Sequence, residues 1–274
     1  MLYLHSTLIA MNETFKTGVV MERAIEILTQ HPLFQGVPAS AFEPYLVRIS
    51  LRIVVKGEIL EIEGDPAQDI GIVVKGQLAK QKYSSDGSFV MIDLLGAGDA
   101  YGEDLIFSHH KDQVLAIEAI TNGEILSVPR LIVKDLMAAY PMVKDNFLYY
   151  LSETIHQQHR RVLILSQRNL RQKISSYLMD LLEEQVRTEE ENADPSLSPA
   201  ERRRLRRRYV TTDSVELPVS KEVAARLLAM PRPSFSRELV RMEKDGLIRS
   251  SGRVVWLLDP EALEYGESDD EDEF

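Results

Sequence analysis

The sequence predicts an α+β chain: an N-terminal antiparallel β-roll of the double-stranded β-helix or jelly-roll type, a long helix, and a C-terminal winged helix-turn-helix. Three observations carry this. Between Leu51 and Pro129, short apolar segments are punctuated by glycines at 57, 64, 71, 76, 87, 96 and 98, the texture of an antiparallel sandwich or roll. Leu151, Ile155, Gln158, Val162 and Leu165 follow a 4-3-4-3 spacing, which is a coiled-coil seam. Between about 212 and 262, a helix, a tight turn, a second helix and a hairpin follow one another, the plan of a winged helix.

In chain order, residues 1–21 are read as an extension without a basic leader or small-residue cleavage site, so no secretory signal is expected. Residues 22–140 form the roll domain. It opens with short amphipathic helices broken at Pro32 and Pro38 and continues in strands such as IGIVVKG and QLAKQKYS. Asp86-Gly87 marks a hairpin tip, because glycine accepts the positive φ of a tight turn. Residues 141–168 form the long helix, with Pro141 in its first turn, where a missing N–H costs nothing. A helix packed on its own sheet would also carry an apolar stripe. A seam this narrow on so long a helix more often pairs with a copy of itself, so a homodimer is expected. Residues 169–262 hold the winged helix, with Asn169 as an N-cap and a polar insert at 187–210. Residues 263–274 are an acidic tail.

Composition narrows the function. The 274 residues leave room for two cores, and no apolar run approaches the ~18–20 residues of a membrane span. The absence of cysteine excludes disulfides and cysteine-ligated iron–sulfur clusters and fits a cytoplasmic protein. No nucleophile–base pair, phosphate-loop glycine motif or catalytically spaced carboxylate pair is present, so an enzyme is not expected. The net charge of −11 argues at first against a nucleic-acid partner. Its distribution reverses that: residues 1–169 carry −5, residues 170–263 carry +1, and residues 264–274 carry −7. The local field is what DNA meets.

Ser220 is a good N-cap for the first helix of the winged segment, with Val223, Ala224, Leu227 and Leu228 as its apolar stripe. Phe235, Leu239 and Met242 face inward on the second helix, which leaves Arg232, Ser234, Ser236 and Arg237 at its leading end. Residues there reach base edges in the major groove, where an arginine bonds guanine bidentately. Arg253 on the wing is placed to reach phosphate.

With RPSFSREL, the glycine-punctuated roll and GEDLIF at 102–107 in place, the chain resembles the Crp/Fnr family of bacterial transcription regulators over about residues 25–260. The resemblance implies a cyclic-nucleotide-binding-like sensor at 22–140 and a dimerisation helix at 141–168. It further implies a dimer on a palindromic operator, with half-sites about 34 Å apart, and contact with RNA polymerase. In nucleotide-binding members, Gly102 would offer its backbone and Glu103 would accept the ribose hydroxyl. An arginine near 113 would pair the cyclic phosphate, but this chain has Gln113 and Val114. A neutral amide cannot neutralise a phosphate, and charge-assisted pairs are about twice as strong. The pair that touches adenine falls at Gln158 and His159. Cyclic AMP is therefore not expected.

The cofactor stays unidentified. A small organic effector, such as an aromatic or carboxylate compound, would be held by some of Tyr101, Gly102, Glu103, Lys111, Gln113, Gln158 and His159. Haem or metal through His109, His110 and His159 is the lesser option, and action without an effector is another. A nucleotide receptor with Lys111 as substitute cation, or a winged helix that binds protein, are further alternatives. Pro233 stands where several relatives carry a cytosine-reading glutamate, which implies a different operator. Six arginines at 201–208 and six acids at 267–273 read first as a solvated linker and tail. The sharper option is that the arginines grip flanking phosphates and the tail competes for them.

Overall fold

The computed structural model describes residues 18–84, 89–110, 112–192 and 214–265. The Asp86-Gly87 hairpin tip, Lys111, the arginine block and the acids at 267–273 lie outside the described residues. The chain divides into two compact units, Met1–His156 and Gln157–Phe274.

The first unit opens with α1 (Gly18–Gln30), which buries Ala24 and Leu28. The expected extension of residues 1–21 therefore overlaps this helix, whose first turn takes in residues 18–21. Beyond it, His31 Nδ1 accepts the Leu33 N–H at 3.2 Å and caps a short 3₁₀ turn over Pro32–Phe34.

Eight strands follow: β1 (Ser50–Val54), β2 (Ile59–Glu61), β3 (Asp69–Lys75), β4 (Leu78–Tyr83), β5 (Phe89–Leu95), β6 (Ala100–Tyr101), β7 (Ala116–Ala119) and β8 (Gly123–Pro129). They form two antiparallel sheets, ordered β1-β8-β3-β6 and β2-β7-β4-β5. Val54, Val73, Leu78, Leu95, Tyr101, Ile117, Ala119 and Ile125 form one core cluster, drawn from both sheets. A second cluster joins strand residues Ile70, Ile72, Leu126 and Val128 to the flanking helices through Leu28, Phe34, Phe42, Ile132, Leu136 and Phe147. Side chains on successive strand residues point to opposite faces, and apolar groups on both faces, each worth roughly 1.5–3 kcal/mol when fully buried, bind strands and helices into one unit.

Helix α2 (Arg130–Ala139) ends at Tyr140, whose φ of −127° is the extended backbone preferred before proline. Helix α3 (Pro141–Leu165) then starts at Pro141. Tyr150 on α3 accepts the Ala100 N–H at 2.8 Å, which ties the helix to β6.

In the second unit, Asn169 Oδ1 accepts the Gln172 N–H at 2.8 Å and caps α4 (Leu170–Asn192). The expected insert at 187–210 begins too early, because glutamates 189–191 are good helix formers and α4 runs on to Asn192. Strand β9 (Ser214–Glu216) precedes α5 (Lys221–Leu227), α6 (Arg232–Lys244) and the hairpin of β10 (Ile248–Ser251) and β11 (Val254–Leu257). The sheet order β10-β11-β9 gives the hairpin a third strand that the sequence pattern does not announce. The unit closes with α7 (Pro260–Tyr265), which packs on α4 and buries Leu263. Helical structure therefore takes in residues 263–265 of the expected acidic tail. Phe235, Leu239 and Met242 are buried under α6, as are Ala224, Leu227 and Leu228 at α5.

Candidate functional site

Two places hold the polar side chains singled out from the sequence: the leading end of α6 and the interior of the roll. The first is built by an abrupt turn between α5 and α6. The Met230 N–H bonds the Ala225 carbonyl and the Ala229 N–H bonds the Arg226 carbonyl, both at 3.0 Å, with Ala229 at φ +50°. This pair of hydrogen bonds is a Schellman stop. Ser220 caps α5 by accepting the Val223 N–H, and Pro231 precedes α6 with extended backbone.

The leading turn of α6 leaves Arg232 and Arg237 exposed and Ser234 and Ser236 half-buried. Arg237 Nη2 donates to Ser234 Oγ at 3.4 Å. The fold thus brings these four residues together, and adds a neighbour that sequence reasoning missed. Glu222 on α5 takes Arg226 on one carboxylate oxygen at 2.7 Å and Arg232 on the other at 3.5 Å. Arg253 lies beyond Gly252 at the hairpin tip, and its guanidinium pairs with Glu216 of β9 at 2.6 Å. Arg232 and Arg253 therefore each carry a carboxylate counterpart. Within the hairpin, Arg249 stacks over Trp256 at 4.5 Å. The Ser250 N–H donates to Glu243 at 2.7 Å, which ties the wing to α6.

In the roll, Gly102 has φ +79°, and a Cβ there would lie 2.8 Å from the Asp69 carbonyl oxygen. Only glycine suits that position. The Arg130 guanidinium donates to the carbonyls of Ala67, at 2.9 Å, and of Leu105, which anchors the loop after Gly102. Glu103 is 2% exposed and Gln113 6%. Glu103 Oε1 receives Lys80 Nζ at 3.3 Å, while Glu103 Oε2 has no partner and the Gln113 side chain hydrogen-bonds Glu61. Burial would by itself lower the Lys80 ammonium, but Glu103, Asp93 and Asp104 outweigh it and hold it above its ordinary value. Burial raises the Glu103 carboxyl, and Lys80 offsets that only in part. Tyr101 packs over Gly71 in the core, its phenol raised by burial and then by the Glu61 charge.

Lys80 is the second residue missed from sequence. The signal was its place in QLAKQKY, two positions after the buried Leu78 and hence on the same strand face.

His109 and His110 are exposed, and the His110 N–H is held by Ser108. Gln158 and His159 lie on α3 beyond residue 156, among the residues of the second unit. Among the described residues, no group of three or more His, Cys, Asp or Glu side chains is brought together as a metal site. No helix among them is long and apolar enough to cross a membrane.

A cyclic nucleotide-binding domain model matches residues 51–140, and a Crp-like helix-turn-helix domain model matches residues 172–265. The chain is 23% identical over 238 residues to the CRP-like cAMP-activated global transcriptional regulator of Mycobacterium tuberculosis, covering 87% of this chain and 97% of that one. FixK2 from Bradyrhizobium japonicum aligns in structure with a TM-score of 0.59 at 18% identity, over 79% of this chain and 96% of its own. The c-di-GMP responsive global regulator CLP of Xanthomonas campestris aligns with a TM-score of 0.58 at 20% identity, over 81% and 100%.

Proposed function

The chain belongs to the Crp/Fnr family of transcription regulators, and from that premise we propose that it acts as a homodimer on a two-fold-symmetric operator, gated by a small molecule other than a cyclic nucleotide. Its two domains are the family's cyclic nucleotide-binding and helix-turn-helix modules, and its relatives are regulators of transcription, not enzymes.

The observation that carries the effector reading is the buried pair Lys80–Glu103, with the neutral Gln113 where the resemblance implies a phosphate-pairing arginine. Lys80 is already engaged by a carboxylate, and Gln113 offers no charge. An anionic phosphate put there would be desolvated without a free counter-charge, at a cost of several kcal/mol. The relatives that respond to cyclic AMP and to c-di-GMP show that ligands differ between regulators of this fold.

The dimer reading rests on α3. Leu148, Ile155 and Val162 recur every seven residues and are 62%, 53% and 62% exposed in the single chain, the profile of a seam waiting for a second helix. Operator reading falls to Arg232, Ser234, Ser236 and Arg237, with Arg253 on flanking phosphate. Recruitment of RNA polymerase in the cytoplasm completes the assignment.

Selecting operators from a random duplex pool with the full chain tests it. A palindrome with half-sites about one turn apart is expected, lost by Arg232→Ala and by the seam variant Val162→Glu. Selection of no sequence would defeat the DNA reading. A thermal shift with cyclic AMP or cyclic GMP would defeat the effector reading.

A further inference from the structure

The antiparallel register sets a row of side chains across one sheet of the roll: Glu61 faces Ile117, Ile117 faces Lys80, and Lys80 faces Asp93. Directly opposed residues share a face. Ile117 belongs to the roll's own core cluster, so the whole row points inward. Glu103 reaches the same layer from the loop after β6, through its contact with Lys80. Lys80 meets Glu103 and faces Asp93, while Glu61 stands beyond Ile117 with Arg52 as its own counter-charge. Burial raises the Glu61 carboxyl, Arg52 lowers it, Asp69 raises it, the Gln113 hydrogen bond lowers it and Asp65 raises it again.

One group in this layer is incomplete. Glu103 Oε2 is a buried acceptor without a donor, whereas the Gln113 side chain hydrogen-bonds Glu61. Unpaired buried polar atoms are costly, and an interior with surplus carboxylate disfavours any further anion.

We propose that the roll binds a small organic cation, an amine or guanidinium compound. The inference rests on reading the roll as an effector domain. The ligand's nitrogen donates to Glu103 Oε2 and offsets the negative charge that Glu103 and Asp93 carry in excess of Lys80, and its aliphatic part lies along Ile117. A carboxylate compound, which the sequence alone allowed, is the wrong charge for this layer. Lys80 competes with the ligand for Glu103, so it sets affinity and is not part of the recognition.

The test is thermal shift and calorimetry on the full-length chain with agmatine, putrescine and arginine, and with cyclic AMP for comparison. A rise in melting temperature with at least one amine is expected. Glu103→Gln should weaken binding by more than about tenfold, the weight of one hydrogen bond to a charged group. Lys80→Met should tighten it several-fold. Because the chain carries a net charge of −11, polyamines also meet its surface. A shift that survives Glu103→Gln is surface binding and overturns the proposal. No shift with any amine, in wild type and in Lys80→Met, overturns it too, while operator binding stands independently. A shift with cyclic AMP alone overturns both this inference and the effector reading beneath it. Asp93→Asn, which should weaken binding without touching the loop, serves where Glu103→Gln fails to fold.

Discussion

Arg171 holds Glu238 on the inward face of the reading helix, Nε to Oε1 at 2.9 Å, and takes Asp245 just past its C-terminus at 2.6 Å with the other arm. One arginine from the first turn of α4 thereby braces both ends of a stretch of α6. Glu238 is 9% exposed on its side chain and has Arg241 at 3.3 Å as a second, far more exposed partner. The two contacts set the pose of α6 against α4, immediately after the Asn169 cap that starts α4.

Arg171→Ala should therefore destabilise the C-terminal unit by about 1–3 kcal/mol, between the values for exposed and buried pairs. Arg171→Ala in a Glu238→Ala background should cost less, and the double-mutant cycle should return a coupling of about 1–2 kcal/mol. Urea melts of the full-length chain, followed through the single tryptophan, Trp256, measure both. Additive effects would mean that the bridge carries no energy.

Glu222 and Glu216 are ion-paired with Arg232 and Arg253, two of the arginines proposed to meet DNA. Each must release its arginine, or share it, when phosphate arrives. Glu222→Gln and Glu216→Gln should raise affinity for a random-sequence duplex by up to about fivefold each, the ceiling for an exposed pair. The slope of log affinity against log salt should steepen by up to about 0.9 for each additional phosphate that a freed arginine neutralises. Anisotropy titrations over a salt series read this. Glu261→Gln, on α7, controls for the general loss of a negative charge, and an equal rise in affinity there would assign the effect to net charge alone.

The roll and the winged helix were legible because both rest on short-range patterns. Period-two strands with glycine turns, a serine N-cap and an inward stripe of Phe235, Leu239 and Met242 are visible within a few residues of one another. The ion pairs were not legible, since Lys80 and Glu103 are 23 positions apart and Arg171 and Glu238 are 67 apart. Only the fold brings them together. Lys80 left a trace, a charge on the apolar face of its strand, but nothing local said which carboxylate would answer it. The helix boundaries at 192 and 265 also escaped: both run into polar, charge-rich sequence, where packing of the preceding turns sustains the helix.

Ala229 carries the strain of the turn that aims α6. It sits at φ +50° in the position of a Schellman stop usually taken by glycine. A Cβ in left-handed backbone costs roughly 1–2 kcal/mol. Ala229→Gly should stabilise the C-terminal unit by about 0.5–1 kcal/mol, once the extra freedom of glycine in the unfolded chain is deducted. Ala229→Val should destabilise it, since a β-branched residue is a worse fit for that backbone. The same urea melts decide. Loss of stability in Ala229→Gly would show that the alanine methyl contributes packing that outweighs its strain.

His31 makes the roll domain acid-sensitive. The ring is 4% exposed, between Phe34 and Tyr150. Its Nδ1 accepts the Leu33 N–H, and its Nε2 faces the Gly98 carbonyl at 3.1 Å and donates to it. Both nitrogens are thus satisfied only in the neutral form. Burial lowers its pKa from 6.5 to about 4, against a smaller opposing pull from the Gly98 carbonyl. The unfolded chain therefore binds this proton first as pH falls. Stability is unaffected above about 6.5 and is lost progressively between about 6.5 and 4, to a total of about 3 kcal/mol. Protonation also places an N–H against the Leu33 N–H and undoes the cap of the 3₁₀ turn. Thermal melts between pH 7.5 and 5 should show this loss, most of it before the ordinary carboxylates titrate. In His31→Gln, stability at pH 7.5 should fall while its slope with pH over that range flattens. An unchanged slope would assign the acid sensitivity to other groups.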